Sequence, residues 1–90
     1  MQNSKEFLTA VEYVKKLKAT PSNDEKGLLY GLYKQSIVGD VNIEQPSSLN
    51  LVAAVKWNNW SKHKGKSTHD AEVEYIKTVN LLIKKYGVNV

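Results

Sequence analysis

Residues 28–42 read LLYGLYKQSIVGDVN. Tyr30, Tyr33 and Lys34 stand at i, i+3 and i+4, and Gly39 follows the apolar pair Ile37-Val38, so the stretch reads as a helix that stops on a glycine. That spacing makes the three side chains neighbours on one helical face, with Cβ atoms about 5–6 Å apart. Two phenol rings beside an ammonium can take a stacked base and a phosphate together. The same triplet can equally be a half-buried packing stripe with a solvated lysine, the commoner use of aromatic residues at this spacing.

Upstream of this stretch, Thr20-Pro21 breaks any helix. Ser22-Asn23-Asp24-Glu25 then forms a capping box, predicting that helix two starts there and continues to about Val38. Gly27 and Gly31 lie inside it, one turn apart, each costing up to about 1 kcal/mol relative to alanine. Close packing against a neighbouring helix and room for a ligand are both open readings of the pair. Helix one is expected from about Ser4 to Leu17, with Phe7, Ala10, Val11, Val14 and Leu17 as its apolar stripe.

Downstream, Gly39 to Asn50 forms the longest connection, and Pro46 with Ser47-Ser48 forbids a continuous helix through it. Such a loop crosses the molecule rather than closing a hairpin. Helix three is expected from about Leu51 to Lys62, with Trp57 and Trp60 together on a core face and Lys56 at its rim. A basic link, His63 to Lys66, precedes a second expected capping box at Ser67 to Asp70. Helix four then runs to Tyr86, with Gly87 as its stop and Ala71, Tyr75, Val79, Leu82 and Tyr86 as its stripe. The pattern predicts one all-α domain over residues 1–90, a small four-helix bundle.

Composition narrows the chemistry. The 90 residues contain no cysteine, so disulfides and thiolate metal sites are excluded. His63 and His69 are too poorly spaced for one helical face, and no metal or cofactor is expected. The net charge of +4 comes from lysine alone, since the chain has no arginine. An anionic partner fits, but sequence-specific DNA reading is disfavoured without guanidinium groups. Glu12, Glu25, Glu72 and Glu74 also interrupt the lysines, against a nucleic-acid stripe. The N-terminus lacks a leader pattern and no stretch could span a membrane, so a cytoplasmic protein without stable membrane insertion is expected. The helical stripes are more economically used in mutual packing than on a membrane surface, and a monomer is expected. No serine stands beside a histidine and a carboxylate in a recognisable arrangement, and no catalysis is expected.

Five separated motifs then fall in one order: Tyr30-x-x-Tyr33-Lys34-Gln35, Val38-Gly39-Asp40-Val41-Asn42, Lys56-Trp57 with Trp60, Tyr75-Ile76, and Lys85-Tyr86-Gly87. Together they resemble the acyl-CoA-binding protein family, over Phe7 to Gly87. The resemblance implies a four-helix bundle that holds long-chain fatty acyl-CoA esters in the cytosol and does no chemistry on them. It implies that helices two and four lie side by side, with helix three crossing the bundle and a bowl left on one side. It also implies that Tyr33 stacks on the adenine while Tyr30, Lys34 and Lys56 hold the 3′-phosphate. Lys15 matches a lysine that approaches the phosphates, and Tyr75 a tyrosine that lines the site. Val11, Lys26 and Gly27 are the candidates for the acyl groove. Relatives commonly carry apolar residues where this chain has Lys26 and Gly27, and often a basic residue where it has Val52.

Overall fold

A computed structural model describes residues 3–89. Four helices follow one another: α1 (Lys5–Val14), α2 (Asn23–Ile37), α3 (Leu51–Ser61) and α4 (Thr68–Tyr86). Each begins where a short polar side chain replaces a missing backbone partner. The hydroxyl of Ser4 accepts from the N–H of Phe7, that of Ser67 from Asp70, and the Asn50 amide oxygen from Ala53. Of the four, only α2 has a complete capping box, with Ser22 accepting from the Glu25 N–H and the Glu25 carboxylate accepting from the Ser22 N–H. At α4 the Ser67 half forms alone. The Asp70 side chain is one methylene shorter than that of Glu25 and does not make the return bond.

α1 ends one turn before the expected Leu17. Its last apolar residue leaves the helix to form an antiparallel bridge with Val88. The Lys18 N–H donates to the Gly87 carbonyl at 2.9 Å, and the Asn89 N–H to the Lys16 carbonyl at 2.8 Å. Gly87, at φ 77°, turns the chain after α4 back toward this segment. A partner distant in sequence therefore takes backbone groups that another helical turn would have used.

α4 packs against α1 and α2, and α2 against α4 and α3. Among the described residues α3 packs against no helix but α2. The resulting body is flattened, with extents of 40 × 31 × 14 Å. Phe7, Leu32 and Val79 are fully enclosed at the meeting of α1, α2 and α4, with Ala10, Leu29, Tyr75 and Leu82 around them.

The two tryptophans of α3 do not share one fate. Trp60 is buried and donates from Nε1 to the Gly39 carbonyl at 2.8 Å. Trp57 is only half-buried, and its Nε1 donates to the Ile43 carbonyl at 3.0 Å. The expectation of two core tryptophans is corrected: one is core, and the other holds the long connection against α3. The start of that connection is fixed by polar contacts as well. The buried Gln35 amide donates to Asp40 Oδ1 at 2.9 Å and to the Lys66 carbonyl at 2.7 Å, while the Gly65 N–H donates to the same Asp40 oxygen at 2.8 Å. Those bonds tie the end of α2, the turn after it and the α3–α4 link together.

Candidate functional site

The face of α2 that carries Tyr30 and Tyr33 looks onto α1, Pro21 and α4 across an open cleft of about 480 Å³. Its walls are apolar and aromatic: Val11 and Val14 from α1, Leu29 and Tyr33 from α2, and Tyr75 from α4. Lys15, Lys26 and Tyr30 complete it, and no Asp or Glu lines it. A second cleft of about 510 Å³ adjoins the first, because Lys26 and Tyr30 line both. Gly27 lies on its α2 side, and Val55, Lys56 and Asn59 on its α3 side. Both volumes fall within the range of small-molecule sites.

The aromatic floor is held by mutual packing. Phe7 lies 6.1 Å from Tyr33, ring to ring at 22°, and 5.0 Å from Tyr75, with Tyr33 and Tyr75 6.3 Å apart. Spacings of this kind are the favoured offset and tilted arrangements of aromatic pairs. Tyr33 therefore has one side braced by Phe7 while the residue stays half-exposed at the cleft. Burial, with Tyr33 close by, pushes the Tyr75 hydroxyl up to about 12, so the floor carries a neutral phenol at physiological pH.

Positive charge surrounds this floor. The Lys56 ammonium stands 5.7 Å from the centre of the Tyr30 ring, bringing a charge from α3 and an aromatic from α2 together. Lys15 faces Glu12 at 3.4 Å, but both side chains are well exposed and such a pair holds little energy. Lys26 is exposed at the junction of the two clefts.

Eight of the nine candidates from the sequence line one or both clefts: Tyr30, Tyr33, Lys56, Tyr75, Lys15, Val11, Lys26 and Gly27. Lys34 does not. Its ammonium sits 4.8 Å over the Trp60 ring, on the side of α2 toward α3. Residues that sequence reasoning left unassigned include Val14, Pro21 and Leu29 in the first cleft, and Val55 and Asn59 in the second. Nothing in their local pattern separates them from ordinary packing residues.

The two glycines of α2 receive different answers. A Cβ on Gly31 would overlap the Asn59 carbonyl oxygen and lie 2.9 Å from His63 Cδ2, so Gly31 exists to let α3 approach. A Cβ on Gly27 would meet only the Asn59 side chain, at 2.7 Å from Nδ2, beside the open second cleft. Packing explains Gly31, while Gly27 stands at both the helix contact and the cleft. The same approach half-buries His63, and burial together with the adjacent Lys66 lowers its basicity. Among the described residues no three acidic or histidine side chains gather as a metal site would require.

With this geometry in place, comparison with known proteins is decisive. The family model "Acyl CoA binding protein" matches residues 4–79. The chain belongs to the acyl-CoA-binding protein family. Acyl-CoA-binding proteins are non-catalytic binding proteins, and the all-α four-helix architecture is theirs. A relative from a Hypsibius species is 42% identical over 88 residues, spanning 98% of this chain and 99% of the relative. The crystal structure of Oryza sativa Acyl-CoA-Binding Protein 2 superposes with a TM-score of 0.86 at 42% identity, covering 90% of each chain. The solution structure of the yeast Acyl Coenzyme A Binding Protein gives 0.73 at 45% identity, covering 93% of this chain and 98% of that one. Among the described residues of this acyl-CoA-binding protein, no helix is long and apolar enough to cross a membrane.

Proposed function

We propose that this protein binds fatty acyl-CoA esters and carries or buffers them without transforming them. The observation that bears most weight is the pair of adjoining clefts, free of acidic residues, in which Lys15, Lys26 and Lys56 surround Tyr30, Tyr33 and Tyr75. An acyl-CoA has an adenine to stack, phosphates to neutralise and a hydrocarbon tail to hide, and the clefts offer all three chemistries. Tyr33, braced from behind by Phe7, takes the adenine on its open side. Lys56 and the Tyr30 hydroxyl hold the 3′-phosphate, and Lys15 approaches the pyrophosphate. Lys34, one helical turn after Tyr30, joins them by rotating its side chain off Trp60. Tyr75 lines the site from α4, and the tail lies along Val11, Lys26 and Gly27, with the Lys26 stem covering methylenes while its ammonium stays in water.

Magnitudes divide the labour. Each charge-assisted hydrogen bond contributes about 1.5–3 kcal/mol, and base stacking about 1–3 kcal/mol. A palmitoyl tail has eight more methylenes than an octanoyl tail, and at about 0.8 kcal/mol for each one fully buried the difference slightly exceeds about 6 kcal/mol. The clefts are open, so about half of that is the reasonable expectation, or on the order of 100-fold in affinity. The headgroup selects the ligand; the tail sets how tightly it is held.

Isothermal titration with CoA, octanoyl-CoA, palmitoyl-CoA and free palmitate tests the reading. One-to-one binding that rises from CoA to palmitoyl-CoA, with no palmitate binding, is expected. Affinity independent of chain length, or palmitate binding as well as its CoA ester, would refute it.

A further inference from the structure

The second cleft does not end at Gly27. It shares Asn23, Val55 and Asn59 with a third cavity of about 490 Å³, so the two meet between α2 and α3. They lie on opposite flanks of that helix contact. On α2, Lys26 and Tyr30 border the second cleft, while Asp24 and Leu28, on the other flank of Gly27, border the third. On α3, Lys56 belongs to the second cleft, and Asn58 and Lys62 to the third. With no side chain on Gly27, the barrier at this point is the Asn59 amide, whose Nδ2 and Oδ1 come within 2.7 and 2.9 Å of where a Cβ would stand. That amide is fastened within its own helix, from Nδ2 to the Val55 carbonyl at 2.9 Å. It can therefore swing aside while the closer approach of α3, made at Gly31 by the Asn59 main chain, stays in place.

Beyond this barrier the chemistry changes. The first cleft is walled by aliphatic and aromatic side chains, whereas the third cavity sets Leu28 and Val55 among Asp24, Asn58, Lys62 and His63. An ammonium has no lone pair to offer, so His63 Nδ1, 3.2 Å from Lys66 Nζ, is the acceptor of that pair. The neutral ring then carries its proton on Nε2, and the cavity holds donors in Lys62 and His63 and an acceptor in Asp24. A methyl group arriving here would displace water from these groups and return no hydrogen bond. A hydroxyl both donates and accepts, matching both kinds of partner. A carboxylate only accepts, and it would meet the charge of Asp24 as well as that of Lys62.

We propose that the third cavity receives the far end of the acyl chain and selects long-chain esters whose terminal carbon carries a hydroxyl group. The inference rests on the acyl-CoA reading above, in which the tail passes Lys26 and Gly27. A long tail continues past Gly27 and Val55 and places its terminal oxygen among Lys62, His63 and Asp24, whereas a short one ends before the Asn59 barrier.

Calorimetric titration of the whole protein with paired ligands tests this: palmitoyl-CoA against ω-hydroxypalmitoyl-CoA, and octanoyl-CoA against ω-hydroxyoctanoyl-CoA. The hydroxyl should tighten the long ester by about 3–10-fold, the yield of one or two net hydrogen bonds, and should give the short ester no advantage. Lys62→Met removes one partner, and Asn59→Leu sets an apolar plug against Gly27. Each should bring the ratio between the two long esters to about one or below, with far-UV circular dichroism checking the fold. Equal or weaker binding of ω-hydroxypalmitoyl-CoA, the same advantage in the octanoyl pair, or a full advantage kept by both variants would overturn the proposal. Hexadecanedioyl-CoA bound more tightly than the hydroxyl-ended ester would overturn the choice of a neutral end. Affinity that rises from octanoyl-CoA to palmitoyl-CoA without any hydroxyl advantage defeats this inference alone, whereas no binding of palmitoyl-CoA defeats the acyl-CoA reading and this one with it.

Discussion

Replacing Gly31 by alanine tests the contact on which the second cleft depends. The new methyl group would overlap the Asn59 carbonyl oxygen, a main-chain atom of α3 that cannot rotate aside, and would crowd His63 Cδ2 at 2.9 Å. Alanine recovers about 1 kcal/mol of helix propensity. Forcing a methyl into a closed contact costs about 1–3 kcal/mol, with the upper end appropriate where the obstacle is backbone. A net loss of about 1–2 kcal/mol follows, lowering Tm by about 4–16 °C in a domain of this size. Gly27→Ala is the matched control. Its methyl meets only the Asn59 amide, which can turn away by giving up the bond from Nδ2 to the Val55 carbonyl at 2.9 Å. That bond contributes about 0.5–1.5 kcal/mol, so gain and loss nearly cancel and stability should change by less than about 0.5 kcal/mol. Thermal and urea unfolding followed by far-UV circular dichroism measure both. A Gly31→Ala protein as stable as the parent, or a Gly27→Ala protein that loses more, would show that α3 does not sit against α2 in this way. Palmitoyl-CoA affinity should also fall in Gly31→Ala, because displacing α3 carries Lys56 away from Tyr30.

Other perturbations have equally definite outcomes. Lys56→Ala should weaken CoA and palmitoyl-CoA by the same factor, about 10–100-fold, in calorimetric titration, leaving the increment between chain lengths unchanged. Gly27→Leu fills the second cleft and should lower palmitoyl-CoA affinity more than octanoyl-CoA affinity; an identical length profile would remove Gly27 from the tail site. Glu25 accepts from the Tyr86 hydroxyl at 2.6 Å, from Lys85 at 2.9 Å and from the Ser22 N–H, and these donors lower its carboxyl from 4.5 to about 2. The unfolded chain thus takes up this proton first, so the stabilisation is complete above about pH 4.5 and disappears as pH falls toward 2. Glu25→Gln should flatten that part of an acid-unfolding curve. Tyr75 works at the other end: its hydroxyl ionises at about 10 when unfolded and about 12 in the fold, so stability falls as pH rises through that interval, and Tyr75→Phe should reduce the fall.

Much of the helical outline was readable because it depends on neighbours within four residues. Ser22 with Glu25, Ser67 and the glycines at 39 and 87 mark ends through local backbone chemistry, and α2, α3 and α4 lie within about a residue of where those signals put them. α1 shows the limit, because the stripe that continued through Leu17 carried no sign of Val88. The candidate site residues were named through family resemblance rather than through spacing, and eight of the nine line the two clefts. Spacing alone joined Tyr30, Tyr33 and Lys34, whereas the fold sends Tyr33 onto Phe7, Lys34 onto Trp60 and leaves Tyr30 beneath Lys56.

The sequence by itself therefore determined the four helices, the ends of three of them, the all-lysine positive charge and the absence of thiol chemistry, since each follows from residue identity or short-range geometry. Only the tertiary structure decided that Gly31 is a helix contact, that Trp57 fastens a loop instead of filling the core, and that among the described residues α3 packs against no helix but α2. Periodicity states which side chains share a face. It does not state what lies opposite that face, because the occupant comes from a segment tens of residues away and is chosen by the packing of the whole chain.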